Sequence, residues 1–213
     1  EPSRRLWWSS VWKLAPDGTF AEVLPPTQGF PKVFSPAMDR QGNRYFTEGG
    51  GRGDNFLRIV RKTPEGRIEV VAGGDRGHAD GKGAAALFGS IYAMTVGPDG
   101  FLYLTDGVSV RKVSPDGAVT TLARGGKVHK ASLFDRTIGN PPRPLMGLVV
   151  DESGTVFAAN YGNRKVVKIN PNGQVETVAK SQPPWKPTGV ALAGRDLLLL
   201  ENESRLGPWR GCV

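Results

Sequence analysis

An all-β fold, a β-propeller of four-stranded antiparallel units, is predicted by three observations. Glycine and proline are abundant, with 29 and 17 among 213 residues, and no G-x-y period accompanies them, so collagen is excluded. A hairpin signature recurs about every 50 residues. Each of the later three copies follows a second hairpin of apolar strands. Apolar residues make up 38% of the chain, too many for a disordered polypeptide, and the Pro-x-Gly turns would break helices.

The signature is a basic residue, two residues, proline, an acidic or amide residue, and glycine. It occurs at Lys13–Gly18, Arg61–Gly66, Lys112–Gly117 and Lys168–Gly173, with the glycines 48, 51 and 56 residues apart. Pro16, Pro64, Pro115 and Pro171 preset φ for a turn, and the glycines accept positive φ. Apolar Phe20, Ile68, Val119 and Val175 follow at a fixed offset and mark the last strand of each unit.

The earlier hairpin is centred on Gly42, Gly100 and Gly154, with a further copy at Gly194 that lacks a closing turn. Inner strands are expected near 36–38, 92–96, 146–150 and 188–192. Each unit then comprises a short inner strand, a turn, an apolar strand, a loop, a third strand, the proline turn and an outer strand. A four-stranded sheet repeated at this period is a propeller blade. Full blades are expected over 30–72, 84–124 and 140–180, with part blades at 1–25 and 185–204. The linkers place Phe88 and Phe134 as plugs between neighbouring sheets.

These residues resemble the NHL repeat. Asp80-Gly81-x-Gly83, then Gly97-Pro98-Asp99-Gly100-x-Leu102-Tyr103, then Val110-Arg111-Lys112-Val113-x-Pro115-Asp116-Gly117 carry the likeness. It is tight over 73–124 and extends over most of the chain. The resemblance implies NHL-type blades and a parent of about six, of which this chain would be a portion. It also implies a secreted or periplasmic bacterial protein. The incomplete end units imply a protein partner or missing blades of the same protein.

The net charge of +8 is spread along the chain with no arginine-rich arm, so it does not mark a nucleic-acid binder. A single cysteine, Cys212, excludes an internal disulfide. No apolar run approaches the 18 residues or so that a membrane helix needs.

Four residues share the end of each second strand: Glu48, Asp106, Asn160 and Glu201. At the hub such oxygens could hold Ca²⁺, as the central metal of lactonase-like propellers is held, or cap loop amides. The basic column Lys13, Arg61, Lys112 and Lys168, with Arg111 and Arg164, forms either a face for an anionic ligand or RNA, or a set of structural pairs. In the later repeats no aromatics interleave with it to stack bases. Trp12, Val60, Arg111 and Val167 share the neighbouring column. His78 and His129 fall in linkers and read as surface residues, too few for a zinc centre. Trp7, Trp8 and Trp209 near the ends could cover an interface. Arg52-Gly53-Asp54 reads as part of a glycine-rich insertion. Ser9, Ser10, Ser90 and Ser132 lie in no nucleophile elbow.

The function expected from these features is a non-catalytic binding or scaffolding module using a loop-lined face. The alternative is a metal-dependent hydrolase, lactonase or lyase with its centre at the hub.

Overall fold

The computed structural model describes residues 11–14, 17–24, 33–49, 55–124 and 144–203. The expectations for Trp7, Trp8, Arg52-Gly53-Asp54, His129, Phe134, Trp209 and Cys212 lie outside these residues.

The architecture is all-β and propeller-like, with several antiparallel sheets. The first four-stranded sheet runs in order through β3 (Val33–Met38), β4 (Arg44–Gly49), β5 (Phe56–Lys62) and β6 (Ile68–Asp75). The next holds β8 (Ile91–Val96), β9 (Leu102–Asp106), β10 (Ser109–Val113) and β11 (Ala118–Arg124). A fifth strand, β7 (Gly81–Lys82), pairs with the outer edge of β11. The regular four-stranded repeat expected there is therefore extended by a piece of linker. The last four-stranded sheet holds β12 (Leu145–Val150), β13 (Val156–Asn160), β14 (Lys165–Ile169) and β15 (Val175–Lys180). Two hairpins form two-stranded sheets of their own, β1 (Val11–Leu14) with β2 (Phe20–Leu24), and β16 (Trp185–Ala193) with β17 (Asp196–Glu203). Among the described residues, no helix is long and apolar enough to cross a membrane.

The inner strands β3, β8, β12 and β16 lie side by side, so successive sheets pack face against face around one side. The core between the first two sheets joins Leu57, Ile59, Ala72, Phe88, Leu102, Leu104 and their neighbours. Phe88 is fully buried there. A second core joins Tyr103, Val110, Leu145, Val156, Val167 and Ile169 between the next two sheets.

The turns show why the signature repeats. The amides of Gly66, Gly117 and Gly173 donate to the carbonyls of Thr63, Ser114 and Asn170 at 3.0, 2.9 and 2.8 Å. All three glycines have positive φ. Gly117 has a second duty, because a Cβ there would collide with the carbonyl oxygen of Val71 on the preceding sheet. Gly173 has the same relation to Leu122, at 2.6 Å. At Gly66 nothing lies within 4 Å of such a Cβ. Gly66→Ala should therefore lose only the conformational term, about 1 kcal/mol. Gly117→Ala should lose about 3 kcal/mol, since the sheets must also part. Urea denaturation of the two variants checks this, and equal losses would remove the inter-sheet contact from the account.

The strand added to β11 is secured by an ion pair. Lys82 Nζ lies 2.7 Å from Asp116 Oδ2. Lys82 and the Ser114 hydroxyl hold the Asp116 carboxyl down to about 2. Because the folded value lies below the ordinary 3.8, this link stabilises above that pH and is lost as pH falls towards 2. Carboxyl NMR should show the Asp116 midpoint near 2, and Lys82→Ala should return it towards 3.8.

Candidate functional site

The second strands end at one edge of the sheets, where the connections between sheets also run. An apolar-walled cleft of about 380 Å³ opens there between the first two sheets. Ser35 and Tyr92 of the inner strands line it, with Thr47, Leu57, Arg76 and Ser90. Ser35 has φ of 52°, a left-handed conformation rare for a non-glycine residue. It sits at a register shift between Phe34 and Ala37, and such bulges re-aim side chains.

Behind the cleft wall lies a charged array. Asp106 closes β9, and its side chain is 1% exposed. Its Oδ1 accepts from the amides of Gly89 and Ser90, both at 2.9 Å. Its Oδ2 accepts from Arg111 at 2.8 Å and lies 3.0 Å from His78 Nδ1. One carboxylate thus joins the cleft residue Ser90 to the linker residue His78. The His78 side chain is 34% exposed, and no described residue hydrogen-bonds its Nε2.

Arg111 is fully buried on β10. Its second terminal nitrogen donates to Asp80 Oδ1 and to the Ala79 carbonyl, both at 2.8 Å. Its guanidinium lies 5.4 Å from the centre of the Phe88 ring. Burial pushes the Asp80 carboxyl up, but the Thr121 amide and hydroxyl and Arg111 outweigh it and hold the group below its usual value. The linker from Arg76 to Asp80 is therefore pinned to β9, β10 and β11 through one cation.

The other members of the second-strand column do not join this array. Glu48 Oε2 accepts from Arg58 Nε at 2.7 Å. Asn160 Oδ1 accepts from the Asn163 amide at 3.1 Å and caps a short 3₁₀ turn. Glu201 Oε1 is buried without a hydrogen-bond partner among the described residues. No group of three His, Cys, Asp or Glu side chains is placed to hold a metal ion among the described residues. The Asp106 carboxylate has four hydrogen-bonding neighbours, so it fits the capping role better than that of a Ca²⁺ ligand.

The basic column lies on the third strands. Arg61 pairs with Glu69, and Asp39 accepts from the Tyr45 hydroxyl at 3.0 Å. Lys112 pairs with Asp99 at 2.8 Å and lies 4.2 Å from the Phe101 ring centre. Asp99 also accepts from Tyr103 at 2.8 Å. Burial pushes the Asp99 carboxyl up, and Lys112, Tyr103 and the Phe101 amide bring it below its usual value. Lys168 lies across from Glu176; burial pushes the nearby Asp151 carboxyl up, and the Ser153 hydroxyl, the Thr155 and Ser153 amides and, least, Lys168 bring it below its usual value. Lys13 lies on β1 across from Ala21. Arg164 ends the 3₁₀ turn in a left-handed conformation.

Sequence reasoning singled out Asp106 and Arg111 but in separate groups, and it left His78 as a surface residue. Arg111 carried the available signal. It is the charged member of an otherwise apolar column with Trp12, Val60 and Val167, and a buried cation in that column requires anions to meet it.

No protein-family model matches the chain, and no curated protein matches it. Solved structures match its fold. The virginiamycin B lyase of Staphylococcus aureus superposes with a TM-score of 0.59 and 16% identity, over 93% of this chain and 64% of the lyase. A gluconolactonase from Xanthomonas campestris gives 0.57 and 15%, over 84% of this chain and 57% of that one. A puromycin hydrolase gives 0.56 and 16%, over 90% and 28%. The chain thus spans less than two thirds of these proteins' lengths. These findings correct the NHL resemblance, since no family model supports it and the fold matches include lyases, a gluconolactonase and a hydrolase. The turn chemistry that carried the resemblance is imposed by the hairpins themselves. The expectation of a non-catalytic binding or scaffolding role is corrected with it, because the solved structures that share this fold include lyases, a gluconolactonase and a hydrolase.

Proposed function

We propose that the chain forms part of a lyase or hydrolase acting on a lactone or related ester at the cleft edge of its sheets. The sheets are read as successive blades around a common hub, with the active face at the second-strand ends. The observation that carries the reading is His78, partly open, with Nδ1 held by a buried carboxylate. A histidine so held keeps its proton on Nδ1 and presents Nε2 as a base. One S. aureus lyase structure supports this chemistry, being a histidine-to-alanine variant described as catalytically inactive, with quinupristin bound (TM-score 0.53, 14% identity, 90% of this chain and 70% of that one).

In hydrolysis Nε2 takes a proton from water as the oxygen attacks the carbonyl, and the alkoxide leaves with a proton returned from the imidazolium. In elimination Nε2 takes a proton from the carbon beside the carbon–oxygen bond, which breaks to an alkene and a carboxylate. Ser35, Ser90 and Tyr92 line the cleft where the substrate would lie. Neither route assigns a step to a metal, and elemental analysis of chelator-free protein tests for Ca²⁺ separately.

The test is turnover of a lactone and ester panel by the chain and by its His78→Ala variant. Removing a general base should slow turnover about 10²- to 10⁴-fold while leaving the melting temperature within a few degrees. Incorporation of ¹⁸O from water separates hydrolysis from elimination. Full turnover by His78→Ala would overturn the assignment.

A further inference from the structure

The cleft between the first two sheets has a cation in its lining and no anion to match it. Arg76 is the charged residue there. Glu48 alternates with Thr47 and Gly49 of the lining, so it faces the other side of β4. Arg58 meets it there at 2.7 Å. Asp106 is buried behind the wall and held by Arg111 at 2.8 Å. Asp75, next to Arg76 in the chain, is exposed and lies outside the lining.

The guanidinium is held in place. Its Nη2 donates to the Gly89 carbonyl at 2.9 Å, and the Arg76 amide donates to the Asn55 carbonyl at 2.8 Å. Gly89 and Ser90 are fixed in turn by their amides on Asp106. Arg76 is thereby set beside Ser90, which also lines the cleft. A carbonyl orients a guanidinium but does not cancel its charge. The hydroxyls of Ser35, Ser90 and Tyr92 make no hydrogen bond with a described residue. Leu57 and Ile91 add apolar wall, and the Tyr92 side chain is left 37% exposed. Ser35 stands across from them on the first sheet, in a left-handed conformation of the kind that functional clefts concentrate. The volume of 380 Å³ is near the low end of small-molecule sites, about 300–1,000 Å³, so the occupant is small.

We propose that the cleft binds a small aromatic carboxylate, with Arg76 and the Ser90 hydroxyl on the carboxylate and Leu57, Ile91 and Tyr92 around the ring. The fork of a guanidinium matches the two oxygens of a carboxylate. A single cation balances a single negative charge, which selects a monoanion over a phosphate dianion. The apolar wall and the open phenol ring suit an aromatic body. The proposal deepens the enzymatic reading and rests on it in one respect: the carboxylate belongs to the substrate, apart from the ester that reacts.

The experiment is titration of the intact protein with benzoate and with its uncharged isostere benzamide, followed by calorimetry and ¹⁵N NMR at constant ionic strength set by chloride. Saturable binding of one benzoate per chain is expected, with benzamide weaker by about tenfold or more, the worth of one charge-assisted hydrogen bond. Arg76→Gln should weaken benzoate by a similar factor. Tyr92→Ser should weaken it about three- to tenfold, the worth of an aromatic contact. Arg195→Gln removes an exposed cation from the β16–β17 turn and should bind benzoate as the unaltered chain does. The proposal is overturned by a response no larger than the chloride control, by benzamide binding as tightly as benzoate, by binding that survives Arg76→Gln, or by an equal loss in Arg195→Gln. His78→Ala should bind benzoate normally, so failure of the enzymatic reading would leave the carboxylate site standing. Benzoate should also inhibit turnover of the ester panel competitively. Binding without inhibition would overturn the assignment of that carboxylate to the substrate.

Discussion

Arg111→Met is expected to destabilise the protein by about 3–5 kcal/mol, the usual loss when one partner of a buried ion pair is removed. For a chain of this size that lowers the melting temperature by about 10 °C. The Arg111 and Asp106 side chains are 0% and 1% exposed, so water cannot replace the guanidinium. Methionine fills the volume and touches the Phe88 ring, but it leaves Asp106 Oδ2 facing only His78. It also removes one of the two donors to the Ala79 carbonyl and to Asp80 Oδ1, which keep only the Leu87 amide and the Thr121 hydroxyl. The linker from Arg76 to Asp80 then loses its tie to β10. Adding Asp106→Asn should recover about 2 kcal/mol, because the amide oxygen still caps Gly89 and Ser90 while the buried charge is gone. Denaturant titration of the two single variants and the double closes the cycle. Strict additivity would mean that the pair is not coupled and that packing alone accounts for the loss.

The fold was legible because turn chemistry is local. A proline that presets φ, an acidic or amide neighbour and a glycine at positive φ specify one hairpin wherever they occur. The amides of Gly66, Gly117 and Gly173 make the same bond in each. Strand alternation then follows from the apolar positions beside them. The added strand β7 was not legible, since Gly81–Lys82 has no strand pattern and is held on β11 by contacts distant in the chain, the Gly83 amide on the Gly117 carbonyl and Lys82 on Asp116. The charged array was half legible. Asp106 stood out by its place at the end of a second strand, and Arg111 by its place in a column. Nothing local joins them to His78, which lies 28 residues from Asp106 in the chain. That contact is made by the linker crossing from one sheet to the next, and linkers carry no period from which to read a register. The basic column misled for the same reason in reverse. Repetition made it conspicuous, whereas Arg61 and Lys112 are engaged by Glu69 and Asp99.

Asp106→Asn alone should lower turnover about 10³- to 10⁴-fold, a loss as large as or larger than that from deleting the imidazole. On the proposed reading the carboxylate accepts the His78 Nδ1 proton and so leaves Nε2 bare. An asparagine keeps its Oδ1 on the amides of Gly89 and Ser90, because those two donors admit only an acceptor. Its NH₂ group is thereby turned towards Arg111 and His78. An NH₂ group donates, so the ring must offer Nδ1 as acceptor and carry its proton on Nε2, the nitrogen needed as base. The ring is then held in the wrong tautomer, and the same NH₂ meets the Arg111 guanidinium donor to donor, so some loss of stability accompanies the loss of turnover. This separates a catalytic carboxylate from a structural one. A structural role predicts a loss of stability with turnover per folded molecule unchanged. A catalytic role predicts that kcat falls, that KM for the lactone moves little, and that ¹⁵N NMR of His78 shows the proton moved from Nδ1 to Nε2. Normal kcat beside a shifted tautomer would remove His78 from the reaction and return the array to the task of bracing the linker.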